Sequence, residues 1–179
     1  MAKIDYSRIE LLVLDVDGVL TDGRVILMPT GEEIKQFCVR DGSAIKWWHK
    51  LGKKTAIISG RDSPAVALRA KELGIELVHL KALNKLPVYE QVLSTAGVSQ
   101  DQTAVMGDDL PDLPLLCRCA LPAAPADAAA EVRQRADFVS RFGGGQGAVR
   151  ELIELILKKS GQWEAIVNRY LPEVREGGK

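Results

Sequence analysis

Short runs of apolar residues alternate with amphipathic stretches along most of the chain. The apolar runs have the length of strands and are bounded by turn residues, so each predicts a buried β-strand. The predicted strands are Glu10–Asp15, Lys54–Ser59, Glu76–Leu80, Thr103–Gly107, Cys119–Pro122 and Asp137–Ser140. The stretches between them predict helices over Asp41–Leu51, Ser63–Leu73 and Lys85–Ala96, each followed by a glycine that can end it. This alternation favours a three-layer α/β fold, a Rossmann-like parallel sheet covered by helices on both faces.

One segment departs from this pattern just after the first strand. Arg24–Met28 and Glu33–Val39 flank Pro29-Thr30-Gly31, which predicts a projecting β-hairpin over residues 24–39. Apolar residues alternate with polar ones in the hairpin, so it could pair with copies of itself in a symmetric assembly. We expect a homotetramer.

A second departure lies near the end of the chain. Glycines dominate residues 143–147, and an amphipathic helix follows from Ala148 to about Lys159. A shorter helical stretch over Trp163–Leu171 comes next, with a frayed end from Pro172. We expect the glycines to be flexible enough to swing this tail, residues 143–172, toward a neighbouring subunit. No linker divides the chain, so residues 1–179 are predicted to form a single domain.

Composition narrows the function classes. The chain has 179 residues, of which 46% are hydrophobic and 27% charged, and its formal net charge is zero. It therefore lacks the basic surplus of a nucleic-acid-binding protein, and nucleic acid is not an expected partner. No apolar stretch is long enough to cross a bilayer, so we expect a cytoplasmic protein without a membrane partner. Three cysteines argue against a disulfide framework, and His49 and His79 lack the spacing of a zinc site.

The first predicted strand carries two carboxylates, Asp15 and Asp17, into a turn that begins at Gly18. Open α/β sheets bind their ligands at the carboxyl ends of strands, which is where this pair stands. One carboxylate could act as nucleophile or metal ligand while the other carries protons. A structural alternative remains for the pair alone, since Asp-Gly is common in turns and Asp15 could cap a local backbone group.

Three later strand ends carry further polar groups. Ser59 and Arg61 follow the second strand, Lys85 opens the helix after the third, and the acid-rich segment Gly107–Asp112 follows the fourth. In a parallel sheet these ends lie along one edge. The structural alternatives are a cap for Ser59, a solvated surface position for Lys85 and an ion pair with its neighbour for Arg61. A lysine at a helix start opposes the helix dipole, which favours a functional role for Lys85.

The gathered groups suit one kind of chemistry. Several carboxylates close together repel one another and require a cation, and oxygen ligands with open positions suit Mg²⁺. The lysine and the hydroxyl could hold a phosphoryl group against that ion. Catalysis of phosphoryl transfer consists mainly of positioning and of neutralising charge. The set therefore predicts a site for Mg²⁺-dependent phosphoryl transfer.

Four elements of this set carry a specific resemblance. Asp15-Val16-Asp17-Gly18-Val19-Leu20-Thr21, Ser59, Lys85 and Gly107-Asp108-Asp109 resemble, in order, the four motifs of the haloacid dehalogenase superfamily. The resemblance implies that Asp15 attacks phosphorus to form an aspartyl-phosphate. It also implies that Asp17 protonates the leaving alcohol and then activates water.

The same resemblance implies the ligands of the cofactor and of the phosphoryl group. Mg²⁺ would be held by the carboxylates of Asp15 and Asp108 and by the backbone carbonyl of Asp17. Ser59 and Lys85 would bind the transferring phosphoryl group. Asp109 and Asp112 are expected to be supporting or capping groups, and a direct metal contact by either stays open.

The spacing narrows the choice within the superfamily. The intervals between Asp15, Ser59 and Lys85 are too short to hold a cap domain, so a capless member is expected. An uncapped site must be covered by a large substrate or by another subunit. A closer resemblance is carried by the hairpin and by Asp15–Gly23, Ile58-Ser59-Gly60-Arg61, Arg69-Ala70 with Leu73-Gly74-Ile75, Asn84-Lys85-Leu86, Gly107-Asp108-Asp109-Leu110 and Gly143–Glu151. In these segments the chain resembles the capless family of 3-deoxy-D-manno-octulosonate 8-phosphate phosphatases. This resemblance implies a tetramer, a phosphosugar substrate and a place in lipopolysaccharide biosynthesis. Arg61 would then contact the substrate, and Arg69 could do so or lie on the helix surface.

The sequence also departs from that family's pattern. Serine stands at position 59 where threonine is common, Asp62-Ser63-Pro64 is unusual there, and the tail after Lys159 is long. These departures leave room for a nine-carbon 2-keto-3-deoxy sugar acid 9-phosphate as substrate. A non-catalytic oligomerisation module of the same fold stays a rival, although both carboxylates of the Asp15 pair are present. A receiver-like signalling domain would lack that pair.

Overall fold

The structure is a computed structural model and describes residues 4–171. The strands are β1 (Leu11–Leu14), β2 (Ile26–Leu27), β3 (Glu33–Ile34), β4 (Lys54–Ile58), β5 (Leu77–His79), β6 (Thr103–Met106), β7 (Leu121–Ala124) and β8 (Phe138–Val139). The helices are α1 (Val39–Lys50), α2 (Pro64–Leu73), α3 (Lys85–Ala96), α4 (Leu113–Leu116), α5 (Ala130–Arg133), α6 (Ala148–Lys159) and α7 (Trp163–Val167). Single 3-10 turns cover Tyr6–Arg8, Gln100–Gln102 and Leu110–Asp112.

Six strands form one parallel sheet in the order β5-β4-β1-β6-β7-β8. Strand β1 is central, and its last residue, Leu14, is in register with Ile57 of β4 and Met106 of β6. The chain segments that leave these three strands therefore start side by side at one edge. This confirms the α/β fold, with no cap domain within the described residues.

The core lies on both faces of the sheet. Leu12 and Leu14 point to a cluster formed with α1 and α6, whereas Leu11 and Val13 point to a second cluster formed with α3. All four side chains of β1 are buried, and burial of each contributes about 1.5–3 kcal/mol. A strand buried on both faces has few ways to shift, so the residues that follow it are held firmly.

The predicted boundaries differ from the observed ones in several places. Helix α3 has the predicted bounds, while α1 begins at Val39, two residues earlier than predicted. Strand β7 lies two residues later than the predicted Cys119–Pro122, because the Cys119 N–H bonds to the Leu115 carbonyl (3.1 Å) in the turn that follows α4. Helices α4 and α5 were not predicted, since four residues are too few to show a helical period.

The hairpin is much shorter than the sequence predicts. Only β2 and β3 pair, so the prediction of a second strand as far as Val39 is wrong. After Ile34 the chain turns inward and buries the Lys35 side chain, which is 1% exposed. Along its two strands and turn, the hairpin leaves a row of large apolar side chains exposed: Val25, Ile26, Leu27, Met28 and Ile34.

The glycine-rich segment is packed, which contradicts its expected flexibility. The Gly145 N–H donates to the Val19 carbonyl (2.9 Å), and the Gly144 N–H donates to Asp127 Oδ1 (2.9 Å). A side chain at Gly144 would collide with the carbonyl of Gly18. Helix α6 then lies in the core beside α1. The expectation that this tail swings toward a neighbour is therefore wrong, because the glycines allow a close approach within the same chain.

The segment after α6 packs back onto α1. Helix α7 ends at Val167 rather than at the predicted Leu171. The Trp47 indole N–H donates to the Tyr170 hydroxyl (2.7 Å), and the Arg150 guanidinium lies 4.1 Å from the Trp47 ring. Trp48, the next residue, is fully buried in the core. The frayed end predicted from Pro172 lies outside the described residues. No helix between residues 4 and 171 has the length and apolar character to span a membrane.

Candidate active site

Side chains from β1, β4 and β6 meet in an open cleft of about 250 Å³ at the carboxyl edge of the sheet. The polar lining consists of Asp15, Asp17, Ser59, Arg61, Lys85, Asp108, Asp109 and Asp112. All the site residues predicted from sequence thus line the same cleft, and Asp112 lies among them. Arg69 does not: its Nη2 donates to the Cys38 carbonyl (3.4 Å), and its guanidinium packs against Gly42.

Asp15 and Lys85 form the centre of the cleft. The Asp15 N–H donates to the Met106 carbonyl (3.1 Å), which ties the residue after β1 to the end of β6. Lys85 Nζ lies 3.0 Å from Asp15 Oδ1 and 2.6 Å from Asp112 Oδ1, and its side chain is 5% exposed. Burial alone would lower the pKa of Lys85, but the charges of Asp15 and Asp112 outweigh burial and raise it. Lys85 is therefore a permanent cation at the first turn of α3.

Asp112 organises the acid-rich loop after β6. Its Oδ2 accepts the N–H groups of Asp108 (3.0 Å) and Asp109 (3.3 Å), while its Oδ1 accepts from Lys85. Gly107 makes this arrangement possible, because a Cβ there would collide with the Asp112 side chain. Asp109 accepts the Leu110 N–H (2.8 Å) and caps the following 3-10 turn. Both acids thus have supporting contacts, as the sequence had suggested.

The acids of the cleft are close enough to share a cation. One carboxylate oxygen from each of Asp15, Asp108 and Asp112 lies within 4.8 Å of the others. Burial, followed by the charge of Asp112, raises the pKa of Asp15 to about 6. Burial, followed by the charges of Asp15 and Asp112, raises the pKa of Asp108 to about 8. Crowded carboxylates of this kind fit a hard divalent cation, which favours their ionised forms.

The turn after β1 brings its backbone against Asp108. Gly18 has φ +89°, and a Cβ there would collide with the Asp108 carboxylate. Only glycine combines this backbone conformation with so close an approach. The Asp-Gly dipeptide therefore makes a turn, as one sequence interpretation held, and the turn places the Asp108 carboxylate beside the loop that carries Asp17.

Asp17 is surrounded by charged groups that the sequence analysis did not assign to the site. Lys35 Nζ donates to Asp17 Oδ1 and lies 2.9 Å from Glu33 Oε1. Arg61 reaches the same cluster, with Nη2 3.2 Å from Glu33 Oε1 and Nε 3.7 Å from Asp17 Oδ2. The alternation of the hairpin could have indicated Lys35, since it lies on the face opposite Ile34. Arg61 is not engaged with its neighbour Asp62, which pairs with Lys81 instead.

Ser59 is held at the end of β4. Its N–H donates to the His79 carbonyl (2.9 Å), and its Oγ accepts the Arg61 N–H (3.3 Å). The residue is only 2% exposed, but it lines the cleft. A hydroxyl and a backbone turn at this position are suited to binding a phosphoryl oxygen.

Comparison with known proteins shows which family and which relatives this chain is similar to. The family of haloacid dehalogenase-like hydrolases matches residues 75–152. The 3-deoxy-D-manno-octulosonate 8-phosphate phosphatase of Haemophilus influenzae is 42% identical over 156 residues, which cover 87% of this chain and 87% of that protein.

Two solved structures extend the comparison. The 3-deoxy-D-manno-octulosonate 8-phosphate phosphatase of Moraxella catarrhalis, crystallised with a magnesium ion, a phosphate ion and a KDO molecule, superposes with a TM-score of 0.90 at 35% identity, covering 93% of this chain and 95% of that one. The cobalt-bound Haemophilus influenzae phosphatase superposes with a TM-score of 0.84 at 42% identity, covering 87% and 91%.

Proposed function

Because the chain belongs to the haloacid dehalogenase-like hydrolases, we propose that its cleft hydrolyses the phosphomonoester of 3-deoxy-D-manno-octulosonate 8-phosphate. The enzyme is a phosphoric monoester hydrolase that uses Mg²⁺. One observation carries the proposal for the site: Asp15 and Asp17 share a cleft with a buried lysine, a buried serine hydroxyl and Asp108. This is the set of groups that phosphoryl transfer through an aspartyl-phosphate requires.

In the first step, an Asp15 carboxylate oxygen attacks phosphorus and the bond from phosphorus to the sugar oxygen breaks. Asp17 gives its proton to that leaving oxygen, so the sugar acid departs as an alcohol. Lys85 and Ser59 hold the oxygens of the transferring group, and Lys85 also orients Asp15 through their 3.0 Å contact. In the second step, Asp17 takes a proton from water as the water attacks phosphorus. The bond from phosphorus to Asp15 breaks, which releases inorganic phosphate and regenerates the carboxylate.

The residues that would hold Mg²⁺ are Asp15 and Asp108, together with the backbone carbonyl of Asp17. When bound, the ion neutralises charge on the phosphoryl oxygens and on the acid cluster. Asp112 serves a different purpose, because its two oxygens already accept from Lys85 and from the loop backbone. It keeps Lys85 and Asp108 at fixed positions around the cleft.

Arg61 is the group that we assign to the sugar acid. It stands at the mouth of the cleft with 48% of its side chain exposed, and a guanidinium suits a carboxylate partner. Its contacts with Glu33 and Asp17 support this assignment, because they hold the guanidinium over the cleft from the Ser59 loop. Arg61→Lys should therefore raise KM for an acidic sugar phosphate more than for a neutral one.

The assembly and the location are also part of this proposal. The exposed apolar row of the hairpin supports association through copies of the hairpin into a homotetramer. Leu27, which is 66% exposed, offers a test: light scattering should give the mass of a tetramer for the wild type and a smaller mass for Leu27→Lys.

The proposed cellular location is the cytoplasm. Cys38, Cys117 and Cys119 are free thiols, which supports this location.

The test of the function is phosphate release from a panel of sugar phosphates with Mg²⁺. The panel contains the eight-carbon acid-sugar phosphate, nine-carbon 2-keto-3-deoxy sugar acid 9-phosphates, and common hexose and pentose phosphates. A strong preference for the eight-carbon substrate is expected. Preference for a nine-carbon substrate would change the substrate but not the chemistry, and no release from any ester would contradict the proposed function.

A further inference from the structure

The hairpin delivers a buried lysine to the proposed acid–base residue. Lys35 follows β3, and only 1% of its side chain is exposed although the hairpin itself projects into solvent. Its ammonium group donates to Asp17 Oδ1 and lies 2.9 Å from Glu33 Oε1. Lysines are seldom so fully buried unless their charge is paired. Here Lys35 is paired with Asp17 and Glu33, so its positive charge lies beside the cleft.

The two oxygens of Asp17 have different surroundings. Oδ1 accepts from Lys35, whereas Oδ2 lies 3.7 Å from Arg61 Nε, which is beyond hydrogen-bonding distance. Oδ1 is thus anchored and Oδ2 is available to a reacting group.

We propose that Lys35 is a positioning residue that anchors Oδ1 of Asp17, so that Oδ2 is the oxygen that carries the proton in both chemical steps. This inference rests on the proposed function, in which Asp17 is the acid and base. Lys35 does not need to contact the substrate for this role. It acts by limiting the rotation of the Asp17 carboxylate, and small losses of alignment reduce the rate of proton transfer strongly.

Glu33 completes the anchor. It accepts from Lys35 and from Arg61 Nη2 (3.2 Å), so it holds both cations of the cluster on one side of Asp17. Glu33 is the first residue of β3, and Lys35 follows two residues later on the same face of the strand. The position of the second hairpin strand therefore affects the position of the Asp17 carboxylate.

The leaving group provides a readout that a merely structural role would not change. A strongly basic leaving oxygen needs a proton as its bond to phosphorus breaks, while p-nitrophenolate departs without one. Phenyl phosphate and p-nitrophenyl phosphate have nearly the same shape, so contacts with a sugar cannot explain a difference between them. The ratio kcat/KM reports events up to departure of the leaving group, and therefore excludes the second step.

The experiment compares Lys35→Met with wild type on these two esters with Mg²⁺ present. We expect kcat/KM for phenyl phosphate to fall by about 10-fold to about 100-fold, and that for p-nitrophenyl phosphate to stay within about 3-fold. A burst of p-nitrophenolate should appear in the variant, because breakdown of the aspartyl-phosphate still needs Asp17 as base. Arg24→Met, which removes a positive charge from an 81% exposed position near the hairpin, is the matched control and should behave as wild type.

Two further variants keep the test decisive if Lys35→Met folds poorly. Lys35→Arg retains the charge and should recover most of the activity on phenyl phosphate, whereas Glu33→Gln should show a smaller loss in the same direction. Equal losses on the two esters, or no loss on either, would overturn the inference while leaving the phosphatase function intact. A wild-type enzyme that releases no phosphate from either ester or from sugar phosphates would instead overturn the proposed function.

Discussion

The stability of the metal-free protein should fall as the pH rises, and Asp108→Asn should remove most of that decline. Burial and the neighbouring carboxylates raise the pKa of Asp108 to about 8, and burial raises that of Asp15 to about 6. A carboxyl group whose pKa is higher in the folded state binds its proton more tightly there than in the unfolded chain. Its contribution to stability is present at low pH and is lost as the pH rises through the folded pKa.

The size of the effect follows from proton linkage. Where the folded protein holds one more proton than the unfolded chain, the free energy of unfolding falls by about 1.4 kcal/mol per pH unit. Across two units, from about pH 5.5 to about pH 7.5, the loss is about 2.7 kcal/mol. For a protein of this size that corresponds to a decrease in Tm of roughly 5–10 °C.

The assay is thermal unfolding across this range in a chelating buffer, for wild type and for Asp108→Asn. Burial lowers the pKa of His49, which adds an opposite slope to both proteins, so the difference between them isolates the acid cluster. The Asn variant should be more stable than wild type at the upper end of the range and nearly equal at the lower end. Mg²⁺ should raise the Tm of wild type most at high pH, because binding requires ionised ligands.

One result would refute this reasoning. If wild type and Asp108→Asn change in parallel with pH and Mg²⁺ leaves both unchanged, the acids of the cleft do not form a proton-binding and metal-binding cluster. The proposed ligands Asp15 and Asp108 would then be wrong, even if the enzyme hydrolysed phosphate esters.

Three other substitutions test separate parts of the structure. Asp15→Asn should abolish phosphate release while circular dichroism shows an unchanged fold, and activity close to wild type would remove Asp15 as nucleophile. Asp41 accepts a backbone N–H of the first turn of α6 (2.7 Å), so Asp41→Ala should lower the free energy of unfolding by about 1–3 kcal/mol in urea titrations, and an unchanged midpoint would contradict this capping role. Gly144→Ala should reduce both Tm and turnover, since its Cβ would collide with the Gly18 carbonyl, whereas Gln146→Ala, at an exposed position in the same segment, should change neither.

The parts of the site that sequence reasoning found are those attached directly to strand ends. Asp15, Ser59 and Asp108 follow buried strands whose register is determined by apolar residues on both faces of the sheet. Local pattern is enough to place such residues, because a parallel sheet brings its carboxyl ends to one edge. Lys85 was found for a related reason, since a lysine in the first turn of a helix opposes the helix dipole and needs a partner.

The parts that were missed depend on contacts between segments distant in sequence. Lys35 and Glu33 lie in a hairpin whose pairing is limited to a few residues, so periodicity could not show that the chain turns inward after Ile34. Asp112 was expected to be a supporting group, but its partner Lys85 lies 27 residues away in the chain. The alternation of the hairpin places Lys35 on the face opposite Ile34, but the partners of Lys35 and of Asp112 are determined by the fold.

The glycines of residues 143–147 show a different limit. Glycine permits flexibility and also permits close packing, and composition alone does not distinguish the two. The choice is made by the loop after β1, whose backbone at Gly18 and Val19 lies against Gly144 and Gly145. Without knowledge that the loop after β1 packs against these glycines, their lack of side chains led to the wrong expectation of a flexible segment.

The hairpin exposes apolar side chains and also supplies charged ones to the cleft. Leu27 is 66% exposed, while Glu33, its partner across the hairpin, and Lys35 lie in the charged cluster around Asp17. A two-stranded hairpin of this length is only marginally stable alone, so packing that covers its apolar side chains would also order Glu33 and Lys35. In the homotetramer that we propose, association through the hairpin would therefore also strengthen the contacts that anchor Asp17.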